Sequence, residues 1–264
     1  MTVAVITGAA SGIGAGLARE AARRGMQVVL ADRDAGALND VATAIGEAAT
    51  AIPTDVTNPA EVEALAEAVF QRHEVVDLLF NNAGVMTTGL SWEIPAEKWE
   101  ASWKVNVEGI LNGLRAFLPG MIAADRPARI INTASVGGFM PSPLMAPYSA
   151  TKFAVVALTE ALAGELKMLR TKIDVSLLAP GPVKSQIFRE TPPDVAHQFH
   201  GMMTSMLDQN GLEPDAFAEL VFDAVARGDY WIIPQPEAFD DGFAARSDII
   251  AKRSPPIFYG VEGN

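Results

Sequence analysis

Short apolar runs rich in β-branched residues alternate along this chain with longer stretches whose apolar positions recur every three or four residues. The runs are VAVIT (3–7), QVVLA (27–31), the segment around TAIPTD (50–55), DLLF (77–80), ARIINTA (128–134) and IDVSLLA (173–179). Each is bounded by turn-forming or polar residues and reads as a strand. The segments between them, 12–24, 34–47, 59–72, 96–120 and 147–170, carry the helical period. Parallel strands need crossover connections, so this alternation predicts a doubly wound parallel α/β sheet with helices on both faces. YWIIP (230–234) adds a last strand, for about seven in all.

No repeat or low-complexity linker divides the chain, which therefore reads as one domain. One stretch departs from the alternation: KSQIFRETPPDVAHQFHGMMTSMLDQNGL (184–212), rich in Met, Phe and polar residues, with Pro192 and Pro193 inside it. It is expected to form a mobile lid or pocket wall outside the sheet.

Composition narrows the class. Of the 264 residues, 49% are hydrophobic and 20% charged, enough for a sizeable core. The net charge of −12 repels phosphate backbones and anionic lipid, which argues against nucleic-acid and membrane-surface roles. A single anionic cofactor is still allowed, because glycine loops and helix ends bind phosphate locally. With no Cys, disulfides, thiolate metal sites and cysteine nucleophiles are excluded, and a reducing compartment fits. The apolar run after Met1 is too short for a signal peptide and no stretch approaches a membrane span, so a cytoplasmic location is expected.

The first strand leads into TGAASGIG, which places Gly8, Gly12 and Gly14 at a strand-to-helix turn, with Ser11 and Ile13 between them. A dinucleotide site needs such a turn, because backbone must approach the pyrophosphate closely. The spacing GxxxGxG is not the commoner GxGxxG. Asp32 ends the second strand eighteen residues after Gly14. A carboxylate there accepts bonds from the adenosine ribose hydroxyls and repels a 2′-phosphate, favouring NAD(H). Arg33 follows it and keeps NADP(H) open, since guanidinium binds phosphate well. Tyr148 and Lys152, four apart in APYSATKFA, share one helix face. A fixed ammonium there is expected to lower the phenol's pKa and make it a proton donor and acceptor.

With TGAASGIG, Asp32, NNAG (81–84) and YSATK (148–152) in this order, the chain resembles the short-chain dehydrogenase/reductase family in its single-domain form. The resemblance runs from residue 3 to about 185, and YWIIP extends it. It implies a Rossmann-like fold and an NAD(P)(H)-dependent alcohol dehydrogenase or carbonyl reductase. Asp55 and Val56 then correspond to the adenine contact, and Asn82, Ala83 and Gly84 to the turn beside the adenosine ribose. Asn106 matches the helix asparagine that holds a water in a proton relay. Ser135 stands thirteen residues before Tyr148, the family's spacing for the serine that bonds the substrate oxygen; Thr133 is a rival hydroxyl at the wrong spacing. Pro180, Gly181, Val183 and Ser185 match the run that receives the nicotinamide carboxamide, with Ser185 in place of the usual threonine. In the implied mechanism Tyr148 exchanges the proton, Ser135 holds the oxygen, and Lys152 stabilises the phenolate and reaches the nicotinamide ribose.

The substrate is written less plainly. Phe139, Met140, Leu144 and Met145 follow Ser135, and the expected lid adds Ile187, Phe188, Phe199, Met202, Met203, Met206 and Leu207. Such surface suits bulky, weakly polar ligands or simply packs the lid on the core. Phe139 and Met145, with Ser135 and Tyr148, are the expected substrate contacts. Lys184 and Arg189 form no cluster, so phosphorylated or dicarboxylate substrates are disfavoured. His197 and His200 lack a carboxylate pattern and read as lid groups, and no metal site is expected. Phe153, Val155, Val156, Leu158, Leu162 and Leu166 make helix 147–170 apolar over much of its surface, which suggests a homodimer or homotetramer. The alternative is a non-catalytic sensor of NAD(H) on the same fold.

Overall fold

The computed structural model describes residues 2–257. Its strands are β1 (Val3–Thr7), β2 (Gln27–Asp32), β3 (Ala49–Pro53), β4 (Leu78–Asn81), β5 (Ala128–Thr133), β6 (Ile173–Leu178) and β7 (Trp231–Ile232). They form one parallel sheet in the order β3-β2-β1-β4-β5-β6-β7. The helices are α1 (Gly12–Arg23), α2 (Ala35–Ile45), α3 (Pro59–His73), α4 (Ala96–Trp103), α5 (Gly109–Ala123), α6 (Ala146–Met168), α7 (His197–Asn210), α8 (Pro214–Arg227) and α9 (Pro236–Lys252). No helix among the described residues is long and apolar enough to cross a membrane.

Burial on both faces explains why the strands read as unbroken apolar runs. Val5, Val29, Ile130 and Leu177 point to the layer of α3, α5 and α6, where Leu65, Phe117 and Leu162 receive them. Their neighbours Ala4, Ile6, Leu30 and Ile131 point to the layer of α1 and α8, with Leu38 of α2. Strand order reverses at β1, whose partners are β2 on one side and β4 on the other. The crevice beyond the strand ends there is the place such sheets offer a ligand.

Three features differ from expectation. The single helix expected at 96–120 is α4 and α5 joined by a π-helical turn, Lys104–Glu108. The 184–212 stretch lies outside the sheet as expected, yet half of it is the regular helix α7. Helices α8 and α9 were not anticipated; each begins at a proline, which suits a first helical turn. On α6, Val155, Leu162 and Leu166 are buried within the chain, leaving Phe153, Val156 and Leu158 part-exposed.

Helix α8 locks onto α1. A Cβ on Gly16 would lie 2.4 Å from the Pro214 carbonyl oxygen, so glycine permits the contact. Phe222 packs at 5.4 Å against the Phe80 ring, and the Arg24 guanidinium lies over the Phe222 ring 5.4 Å from its centre. Phe222 is 2% exposed. Phe222→Ala is expected to cost about 3–5 kcal/mol in urea unfolding, through lost burial and the cavity left behind. A loss below about 1 kcal/mol would mean that α8 is not part of the cooperative core.

Candidate active site

The loop after β1 bends because Gly8 and Gly12 take left-handed φ angles of 67° and 50°. It also closes tightly, since a Cβ on Gly14 would sit 2.0 Å from the Gly8 carbonyl oxygen. The Asp32 carboxylate steadies this loop from β2, accepting from Ala10 N at 3.2 Å and from Asp34 N at 3.0 Å. Thr7 joins β1 to the next turn. Its Oγ1 donates to the Phe80 carbonyl at 3.3 Å and accepts from Asn82 N at 2.9 Å and Ala83 N at 3.2 Å. Asn82 Nδ2 returns a bond to the Thr7 carbonyl at 3.1 Å. Asp55 holds its own turn through Thr57 N and Thr57 Oγ1, at 2.9 and 2.8 Å.

At the other end, β5 delivers Ser135 to the crevice and α6 presents Tyr148 and Lys152 beside it. Ser135 Oγ accepts from Gly137 N at 3.1 Å, which fixes its side chain. Lys152 is 3% exposed, and its Nζ donates to the Thr133 carbonyl at 2.8 Å. Burial lowers its pKa to about 8 from the ordinary 10.5. The phenol departs from expectation. Burial raises the Tyr148 pKa above its ordinary value, and the Ser135 hydroxyl acts only partly against that. Lys152 Nζ, which was expected to lower it, is turned to Thr133 and stands 5.7 Å from the Tyr148 ring centre.

Asn106 sits on the π turn and is fully buried. Its Oδ1 accepts from Val85 N at 2.8 Å, while Nδ2 donates to the Val85 carbonyl at 3.0 Å and to Thr151 Oγ1 at 2.9 Å. Its amide therefore clamps the segment after Gly84 to α6. A Cβ on Gly84 would meet Asn106 Oδ1 at 3.4 Å and Lys152 Nζ at 3.5 Å, so this clamp abuts the lysine.

One cavity of about 1030 Å³ connects the two ends. Every expected cofactor residue lines it: Gly8, Ser11, Gly12, Ile13, Gly14, Asp32, Arg33, Asp55, Val56, Asn82, Ala83, Gly84, Tyr148, Lys152, Pro180, Gly181, Val183 and Ser185. Ser135 and Met145 line it too. Phe139 does not. Its ring is held edge-on by Trp231 at 5.8 Å and Phe243 at 5.3 Å, so it packs β7 and α9 against the core rather than lining the cavity. From the 184–212 stretch, Ile187, Phe188, Met203, Met206 and Leu207 reach the cavity, whereas Met202 is 57% exposed on the outer side of α7. His200 Nε2 lies 2.8 Å from the Phe188 carbonyl, and His197 stands 3.5 Å from the Asp194 carboxylate, so the two serve local contacts. Sequence reading missed α9, whose Phe239, Gly242, Arg246 and Ile249 form another wall. The amphipathic run following Pro236 was the available signal.

The residues fit a dinucleotide: the glycine turn leaves no room for side chains, α1 begins there, and the ribose-side carboxylate is in place. A family model for the short chain dehydrogenases matches residues 2–196. The chain belongs to the short-chain dehydrogenase/reductase family. A family member from Burkholderia phymatum, solved in complex with NAD, superposes with a TM-score of 0.94 at 35% identity, over 99% of this chain and 98% of that one. The 1-deoxy-11-beta-hydroxypentalenate dehydrogenase of Streptomyces exfoliatus is 40% identical over 185 residues, 68% of this chain and 66% of the relative. An alcohol dehydrogenase from Thermococcus sibiricus, complexed with 5-hydroxy-NADP, gives a TM-score of 0.76 at 26% identity, over 88% of this chain and 95% of that one. This family member is thus an oxidoreductase with relatives that bind NAD and relatives that bind an NADP derivative.

The buried lysine makes stability depend on pH. Its folded pKa of about 8 lies below the ordinary 10.5, so folding disfavours the charged form. The full penalty acts below about pH 8, fades as pH rises through the window, and vanishes above about 10.5. The unfolding free energy of the wild-type protein minus that of Lys152→Met should therefore rise with pH across this window, by on the order of 3 kcal/mol. Urea unfolding at stepped pH measures it, and a flat difference would refute a buried, desolvated ammonium.

Proposed function

We propose that this oxidoreductase interconverts a secondary alcohol and a ketone with NAD(P)(H), using Tyr148 as general acid and base. The supporting observation is the convergence of Ser135, Tyr148 and Lys152 on one wall of the cavity that begins at the glycine turn. The turn at Gly8–Gly14 and the first turn of α1 would hold the pyrophosphate, and Asp32 the adenosine ribose hydroxyls, which favours NAD(H). Arg33 keeps NADP(H) within reach. When bound, the nicotinamide supplies the hydride chemistry at the reacting carbon.

At the oxygen the protein does the work. Tyr148 gives its proton to the forming alkoxide in reduction and takes it from the alcohol in oxidation. Its raised pKa keeps the free enzyme's phenol protonated at neutral pH, the state that ketone reduction requires. Ser135, held by Gly137 N, orients the substrate oxygen against the phenol. Lys152 supplies positive charge in a desolvated setting, where it stabilises the phenolate more than it would in water. Asn106 acts through position, tying Val85 and Thr151 so that the floor beneath Lys152 stays fixed.

The apolar wall of Met145, Ile187, Phe188, Met203, Met206 and Leu207 suits a bulky substrate. Two relatives, a hydroxypentalenate dehydrogenase and an alcohol dehydrogenase, are in keeping with the alcohol/ketone reading.

Nicotinamide absorbance, followed with NADH and NADPH across ketones from small aliphatic to bulky aryl, tests the activity. Tyr148→Phe should lower turnover by about 100- to 10,000-fold while cofactor binding, read by fluorescence titration, persists. Residual turnover within a few-fold of wild type removes Tyr148 from the acid/base role. No consumption of either cofactor with any ketone would favour a non-catalytic NAD(H)-binding protein.

A further inference from the structure

Helix α9 brings one cation to the substrate end of the cavity. Arg246 lines the cavity and is half-buried. Its guanidinium lies over the Phe153 ring at 5.2 Å, an arrangement that restrains the long side chain by cation–π attraction. Five N–H donors in a fixed fork call for acceptors when removed from water. Among the described residues Arg246 has no ion pair and no side-chain hydrogen bond, in a protein with 32 acidic and 20 basic residues. Its own helix cannot supply one: the positions three and four residues away hold Phe243, Ile249, Gly242 and Ile250. Acidic residues of α9 do occur at Glu237, Asp240, Asp241 and Asp248, all exposed, and Asp248 is bonded to Lys252 at 2.8 Å. Nearby Lys184 and Lys98 are matched, by Glu213 at 2.6 Å and by Glu190 at 2.9 Å, and the cavity's remaining cation on this side, Arg189, has no ion pair among the described residues but is solvent-exposed where Arg246 is half-buried. Around Arg246 the wall is apolar, with Met140 pressed on Gly242 and Ile249 one turn on.

We propose that Arg246 is an anion-binding residue of the substrate cavity, and that the substrate is an alcohol or ketone with a bulky apolar body and a carboxylate remote from the reacting carbon. A planar carboxylate matches the guanidinium fork in a bidentate pair, and one such pair lets an anion enter a protein of net charge −12. The apolar wall accounts for the body between the two polar ends. This inference rests on the alcohol/ketone reading above for its reacting group, but not for its carboxylate.

Two arms test it on the full chain. In the first, kcat/KM is measured for a ladder of ω-benzoyl carboxylates of increasing length, each beside its methyl ester. Wild type should prefer the acid over the ester at the best length, mainly through KM. Arg246→Gln should erase that preference by about 10- to 100-fold, and Arg246→Lys should restore part of it. Arg189, an exposed cavity-lining cation, is the comparison. Equal use of acid and ester by wild type, a preference that survives Arg246→Gln, or one that only Arg189→Gln removes would each overturn the proposal. In the second arm, non-reacting ω-phenyl carboxylates and their methyl esters are titrated calorimetrically. Tighter binding of the acid by wild type, lost in Arg246→Gln, supports the anion site even if no ketone is reduced; equal binding overturns it. A failure of ketone reduction is thereby separated from a failure of the carboxylate site.

Discussion

The seam between β1 and β4 is the constraint on which the site depends. Both strands are parallel and covered on both faces, so neither can move without disturbing two layers of core. At the seam's end the Thr7 hydroxyl is shared between the Phe80 carbonyl and the amides of Asn82 and Ala83. That hydroxyl, together with the Asn82 Nδ2 bond to the Thr7 carbonyl, ties the glycine turn to the turn at 82–84. Because strand order reverses here, the connections leave in opposite directions and open a crevice above the bond. Removing side chains from Gly8 and Gly14 lets backbone line that crevice directly.

The chemistry at the far end follows from burial. Lys152 has one protein acceptor, the Thr133 carbonyl, and little water. A charge so placed is costly, which is why its pKa falls to about 8. The π turn in the α4–α5 region serves this arrangement, because it carries the Asn106 amide to the Val85 backbone and to Thr151. A regular helix would rotate the residues beyond it by the angle of the extra residue. A local irregularity in one helix is thus tied to the residue preceding Lys152 in another.

The part of the chain that departs from strand–helix alternation walls the far end of the cavity. Helix α7 and the segment before it supply apolar surface, and α9 supplies a wall with one guanidinium. Phe139, although only four residues after Ser135, packs against Trp231 of β7 and Phe243 of α9.

The alternation of apolar runs and helical periods, the glycine turn, Asp32 and the pair Tyr148 and Lys152 were legible in the sequence, because each is local: a period, a spacing or a tight turn is encoded by neighbours. The order of strands fits the doubly wound pattern expected of such alternation. What neighbours do not encode was decided by tertiary structure. The direction of the tyrosine's pKa depended on how deeply it is buried and where Lys152 points, and the spacing alone suggested the opposite sign. Phe139 turned to the core because β7 and α9, about a hundred residues later, offer aromatic edges. Asn106 lies in a π turn that an unbroken helical pattern hides. Arg246 acquires its place only when α9 folds back over Phe153, since nothing in a run of seventeen helical residues tells which of them will face a cavity built by others.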